Sequence, residues 1–222
     1  MRLALAILLF ITTSIYAGKW ISEISGDTLL CPCSVRDECK AEANGKISEC
    51  MKECEDHLEN YGSRTSEYRS CFEQETIKEA ERCLFRDLDD MCTWRDNEEK
   101  YIEAPKWEEL NSVKYDDNRY VYAREGVWRT HEPKYNYMQN YLHCTKNCMH
   151  GKLRACTDAK NCTLRMPSSS EFRDKMRYCL KKNEKIAKSL LATCQCLAWK
   201  KGVTSLQGSC VIIGNQYYID RA

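Results

Sequence analysis

Four histidines (His57, His131, His143 and His150), 33 carboxylates and 16 cysteines hold whatever chemistry this chain can do, and their spacing decides what that is. Glu53 and His57 stand four apart on one helical face and could work as an acid–base pair. Glu49, Asp56 and Glu59 surround them, so the plainer reading is a solvated acidic face. His131-Glu132 opens like an H-E-x-x-H zinc helix, but Pro133 follows and no second histidine stands at the right place. His143-Cys144 and Cys148-Met149-His150 could be drawn as a zinc site, since both residue types ligate zinc. Disulfides are the competing and preferred use of those cysteines, and no metal or other cofactor is assigned. No G-x-S-x-G elbow, Gly-rich phosphate loop or EF-hand spacing is present, and no His-Asp pair adjoins the cysteines as in secreted phospholipases A2. Without a C-x-x-C pair, a thioredoxin-like redox role has no support.

The strongest binding signal is cationic. Arg173, Arg177, Lys181, Lys182, Lys185 and Lys188 flank an apolar helical stripe and could meet an anionic membrane surface or a polyanion. The alternatives are simple solvation, or docking against the chain's own acidic segment. Nucleic acid is disfavoured by the balanced total charge of +1 and by the compartment that the cysteines indicate.

That compartment is read from both ends of the argument. Met1-Arg2, an apolar run from Leu3 to Phe10 and a small residue at Ala17 make a secretory signal, residues 1–17. The run is too short to span a membrane, which takes about 20 apolar residues. All 16 cysteines lie beyond it, from Cys31 to Cys210, and an even number in an oxidising compartment predicts eight disulfides. With a mean hydropathy of −0.63 the chain has few aliphatics for a core. Cross-links worth about 2–4 kcal/mol each then replace part of it. One glycosylation sequon, Asn161-Cys162-Thr163, has a cysteine in its middle, so a disulfide competes with the glycan at Asn161.

Charge divides the remainder. Residues 18–92 carry 10 basic and 18 acidic side chains, 93–136 carry 8 and 10, and 137–222 carry 15 and 5. Each outer segment holds eight cysteines and the middle none. The expected architecture is mainly α: an acidic helical module (18–92), a cysteine-free aromatic connector (93–136) and a basic helical module (137–222) ending in a small C-terminal β-hairpin.

In the first module Ser34 is the expected N-cap, with Asp37 three residues on. Val35, Cys39, Ala43, Ile47, Cys50, Cys54 and Leu58 then recur at helical spacing. Tyr61-Gly62-Ser63 turns the chain into a second helix with Tyr68, Cys71, Ala80, Cys83, Leu88 and Cys92 on its face. Facing residues in an antiparallel hairpin keep a nearly constant index sum. This favours Cys54–Cys71, Cys33–Cys92 and Cys39–Cys83, with Cys50–Cys71 left open. The connector's rings (Trp94, Tyr101, Trp107, Tyr115, Tyr120, Tyr122, Trp128, Tyr135) are too many for a disordered linker; they pack on the hairpins or form a ligand surface.

In the basic module a helix begins after Pro133 and runs through Tyr137, Tyr141, Cys144, Cys148 and Cys156, with a loop over 158–167. Ser168 and Glu171 form a capping box for one long helix ended by Gly202. Cys194 and Cys196 point about 200° apart on it and must staple different neighbours, with Cys210 the expected partner of Cys196. Val211–Ile219, broken at Gly214-Asn215, reads as a tight β-hairpin.

Cysteine-dense helical hairpins behind a signal resemble the secreted cysteine-rich helical proteins of nematodes. The resemblance is one of cysteine style and carries no functional residue across. The expected function is a secreted binding or structural protein engaging an extracellular protein or a polyanion. The alternatives are a small hydrolase with a site at the hairpin junction, and a lipid carrier opening amphipathic helices around an apolar ligand.

Overall fold

The computed structural model describes residues 27–86, 88–95, 98–113 and 128–212, with the backbone alone at 89, 128–134 and 180–182. In chain order the elements are strand β1 (Asp27–Leu29), helices α1 (Cys33–Gly45) and α2 (Ile47–Glu53), and a 3-10 stretch at Glu55–Tyr61. Helices α3 (Thr65–Arg69) and α4 (Gln74–Leu84), strand β2 (Tyr101–Glu103) and helix α5 (Trp107–Ser112) follow. The second half is helical: α6 (Trp128–Ala159), α7 (Ser169–Lys182), α8 (Glu184–Gln195), a π turn at Cys196–Lys200 and a 3-10 turn at Thr204–Leu206. No helix among the described residues is long and apolar enough to cross a membrane.

The predicted hairpin turn stands. Gly62 has φ 137°, and a Cβ there would meet the Tyr68 hydroxyl at 2.8 Å, so glycine is required on both counts. The first arm buries its predicted stripe (Cys39, Ala43, Ile47, Cys50, Cys54, Leu58) but breaks into three pieces at Lys46 and Cys54. Its N-cap is Pro32 rather than Ser34, which lies inside α1.

The bridges correct the hairpin picture. Of the pairs favoured within the first module only Cys33–Cys92 forms. Cys39 bonds Cys156, Cys54 bonds Cys144 and Cys50 bonds Cys148, so the first arm lies antiparallel against α6. Index-sum reasoning holds in this pairing too: Cys50–Cys148 and Cys54–Cys144 share one sum, and Cys39–Cys156 falls within a helical turn of it. Cys71 bonds Cys196, Cys83 bonds Cys179, Cys31 bonds Cys162, and Cys210 bonds Cys194 rather than Cys196. Six of the eight bridges therefore join the acidic segment to the basic one. One hydrophobic core runs through both, from Cys39 and Ile47 to Tyr141, Phe172 and Leu197.

Charge reinforces the staples. Lys152 pairs with Glu49 at 2.9 Å, Lys160 with Glu38 at 2.9 Å and Arg165 with Asp90 at 3.0 Å, each across the two segments. These pairs are solvent-exposed and each contributes at most about 1 kcal/mol; they set register more than stability.

The two-stranded sheet is antiparallel and joins β1 to β2, with Thr28 opposite Ile102. It is not at the C-terminus. Val211 and Ile212 of the expected hairpin are helical, in the run 207–212, and residues 213–219 lie outside the described residues. The helix expected after Pro133 starts upstream, at Trp128. Ser168 and Glu171 form the predicted capping box, with the Ser168 amide donating to Glu171 Oε2 at 2.8 Å. The long helix behind it is broken, because Asn183 leaves the helical region and its side chain accepts from the amides of Lys185 and Ile186, starting α8 anew. Gly202, at φ 76°, ends the run as expected, and Arg64 caps the preceding Lys201 carbonyl at 2.9 Å.

Candidate functional site

Three helices meet at a cleft of about 150 Å³ lined by Lys40 and Ala43 of α1, Lys78, Glu81 and Arg82 of α4 with Phe85 just beyond, and Met149, His150 and Leu153 of α6. Bridges hold each wall. Lys40 follows Cys39, which bonds Cys156 one turn past Leu153, and Arg82 precedes Cys83, which bonds Cys179.

The floor is polar and buried. His150 is 1% exposed and Glu81 9%. Both were placed there by helical periodicity: Ile77, Glu81 and Leu84 share the inward face of α4, while Lys146, His150 and Leu153 share that of α6. His150 Nδ1 lies 3.3 Å from Asn111 Oδ1, a contact that orients the ring with Nε2 towards Glu81. That nitrogen stands 3.7 Å from Glu81 Oε2, beyond hydrogen-bond reach. Trp107, Phe85 and Phe172 surround the imidazole at centroid distances of 5.9–6.0 Å. Beside it Lys146, 1% exposed, donates to the Val113 carbonyl at 2.7 Å and the Leu110 carbonyl at 3.3 Å. Burial pulls the Lys146 ammonium down to about 8, with Glu81 opposing the shift.

The rim is cationic. Lys40 lies 5.6 Å over the Phe85 ring. Burial, and then the nearby Arg36, push its pKa below the usual lysine range. Lys78 and Arg82 pair with Glu75 and Glu79 three residues back on their own helix.

A second cleft of about 500 Å³, lined by residues including Leu88, Asp90, Arg165, Pro167, Glu171 and Lys175, has its charges committed. Arg165 holds Asp90, Glu171 holds the capping box, and Lys175 donates to the Arg86 carbonyl at 2.7 Å.

The predicted cationic helix is two helices, broken at Asn183. Arg173, Lys185 and Lys188 are exposed, Arg177 pairs with Asp174, and Lys188 with Glu184. The side chains of Lys181 and Lys182 lie outside the described residues. Glu53 and His57 are exposed, and Glu53 faces Lys152 at 3.7 Å, as a solvated acidic face requires. Cys144 and Cys148 are bridged, so the drawn zinc set has no thiolate, and no group of three His, Cys, Asp or Glu among the described residues could hold a metal ion. Of the connector's rings, Trp107 and Tyr135 are buried while Trp94 and Tyr101 face solvent, Trp94 under the Arg36 guanidinium. Tyr115, Tyr120, Tyr122 and the Trp128 side chain lie outside the described residues. Asn161 is exposed in a left-handed turn (φ 56°), with Cys162 bonded to Cys31 and Thr163 buried.

Sequence reasoning missed Glu81 and Lys146 and met His150 only as a zinc ligand. The available signal was a charged residue on an apolar stripe: Glu81 four after Ile77, and Lys146 and His150 between Tyr141 and Leu153. No family model, no curated protein and no solved structure matches this chain.

Proposed function

We propose that this is a secreted binding protein, a disulfide-locked scaffold that engages an extracellular protein rather than a polyanion. The observation that carries this reading is the six bridges joining the acidic and basic segments around one core. A body so stapled presents its surface groups in fixed positions, which lowers the ordering cost of association. Its cations are spent largely on its own carboxylates, which argues against a continuous anion-binding stripe. What stays exposed is suited to a protein partner: Arg173, Lys185, and the rings of Trp94, Tyr178 and Trp199. Secretion rests on the leader at 1–17 and on the paired cysteines.

The test immobilises the intact chain and measures saturable binding from extracellular fluid of the source tissue. Capture lost in an R173E/K185E variant, or in a W94A/W199A variant, with the fold intact by circular dichroism, supports the reading. Retention on heparin in 0.15 M salt, where screening acts over about 8 Å, would transfer it to a polyanion.

Glu81 and His150 favour a second reading, since a histidine and a carboxylate from opposite segments converge in one cleft, as the hydrolase alternative requires. The lining holds no serine, threonine or cysteine, so a hydroxyl or thiol nucleophile is not available to it. Turnover of ester, amide or glycoside substrates that disappears in H150A would establish it. The carrier alternative needs a large apolar cavity, and both described clefts are rimmed by charge.

A further inference from the structure

We propose that the cleft between α1, α4 and α6 binds a small amphoteric molecule, with a protonated amine on its floor and an acid group at its rim, the chemistry of a free apolar α-amino acid.

The floor asks for a donor. Glu81 Oε1 and His150 Nε2 are both buried, and neither has a hydrogen-bond partner among the described residues. An orphaned buried carboxylate oxygen is costly, and His150 Nε2 beside the same carboxylate is unpartnered too. A primary ammonium supplies three hydrogens and the opposite charge. It can bridge Glu81 and His150, and charge-assisted bonds of this kind are the strong ones. A bare metal cation fits poorly, because only one carboxylate and one imidazole converge and three cations guard the entrance.

The rim asks for an anion. Lys40 is half-buried over Phe85, with its pKa held down by burial and by Arg36. An acid group set beside it offsets both costs. Lys78 and Arg82 add positive field from α4 even while paired along their helix. Between floor and rim the lining is apolar at Ala43, Phe85, Met149 and Leu153, with Asn44 its polar exception. At about 150 Å³ the space matches a cavity that admits a benzene-sized group, enough for an amino acid with a short aliphatic side chain. The walls are pinned by Cys39–Cys156 and Cys83–Cys179, so the site is formed before the ligand arrives.

The experiment titrates the full chain by calorimetry with leucine, N-acetyl-leucine and leucinamide. Leucine should bind, and removing either charge from the ligand should weaken binding about tenfold or more, the value of a hydrogen bond to a charged group. E81Q should abolish the advantage of leucine over N-acetyl-leucine, and K40M that of leucine over leucinamide. E81Q keeps side-chain size and K40M shortens it by one atom, and an unchanged non-reducing disulfide map certifies their fold. K40M, at the rim, stands as a test on its own if E81Q fails to fold. No heat from leucine or from valine, equal binding of the blocked compounds, or binding indifferent to both substitutions overturns the proposal.

Discussion

Replacing Lys146 with methionine should remove one segment of the pH dependence of stability without removing the fold. Lys146 is 1% exposed, and its ammonium sits 5.4 Å over the Phe172 ring while donating to two carbonyls at the end of α5. Burial lowers its pKa from 10.5 to about 8. The unfolded chain keeps the proton to the higher value and the folded chain releases it near the lower. Between them unfolding takes up a proton, so raising the pH stabilises the fold. Below the folded value both states are charged and the desolvation penalty is present in full, about 3 kcal/mol. From about pH 7 to about pH 10 the wild type should recover about 2–3 kcal/mol of it.

Methionine keeps the unbranched stem, one atom shorter, and loses the charge. The carbonyls of Leu110 and Val113 then lose a donor, at about 1–3 kcal/mol each, a cost with no pH dependence. Level and slope thus separate. The two proteins can lie close at neutral pH, but wild type minus K146M should rise by about 2–3 kcal/mol across the interval. Urea unfolding at four pH values measures it. Lys40 titrates in both proteins and cancels. All cysteines are paired, so no thiolate is present to start disulfide exchange. Parallel stability curves would refute the account of Lys146 as a charge buried at a cost.

Peptide mapping under non-reducing conditions should recover Cys39–Cys156, Cys50–Cys148, Cys54–Cys144, Cys71–Cys196 and Cys83–Cys179 with no free thiol; pairing of these ten cysteines within their own segments would contradict the fold. Gly62→Ala should cost about 1–3 kcal/mol, read as a lowered urea midpoint, because the backbone there suits glycine alone and the Tyr68 hydroxyl blocks a Cβ. At Asn161, alanine should destabilise by about 1 kcal/mol and glycine should not, since the left-handed turn between Asp158 and Cys162 is what asparagine tolerates. Equal midpoints for the two variants would show that the turn is not held in that conformation.

What was legible in the sequence was local. The capping box at Ser168, the turn at Gly62, the stop at Gly202 and the buried stripes of α1, α2 and α6 each follow from interactions within a few residues. Partner choice was not legible, because index sums hold for any two antiparallel helices and do not say which two. The chain carries two cysteine-bearing arms that could face the first, the α3–α4 arm and α6. Chain proximity pointed to the nearer. The spacing Cys50-x-x-x-Cys54 is matched by Cys144-x-x-x-Cys148, and this equal spacing is the signature of a facing pair. Two bridges four residues apart on each helix can close together only when the helices run antiparallel in register. Opposite net charges on the two segments pointed the same way.

The candidate cleft was hidden for a related reason. Its parts come from three helices far apart in sequence, and each part looks ordinary alone: a lysine beside a cysteine, a glutamate in a charged helix, a histidine near a bridge. Only the crossed staples bring them together. Had Cys39 bonded Cys83, α1 would lie along α4 with α6 elsewhere, and Glu81 would have met solvent in place of His150. The same bridges that join the acidic and basic segments therefore create a place where a buried carboxylate lies beside an imidazole beneath a cationic rim. Reducing Cys39–Cys156 alone, as C39A/C156A, should loosen α1 from α6 and weaken ligand binding in the cleft while leaving the distant Cys194–Cys210 turn intact. Site and scaffold have one origin in this chain, and calorimetry on that variant beside the wild type measures how tightly they are coupled.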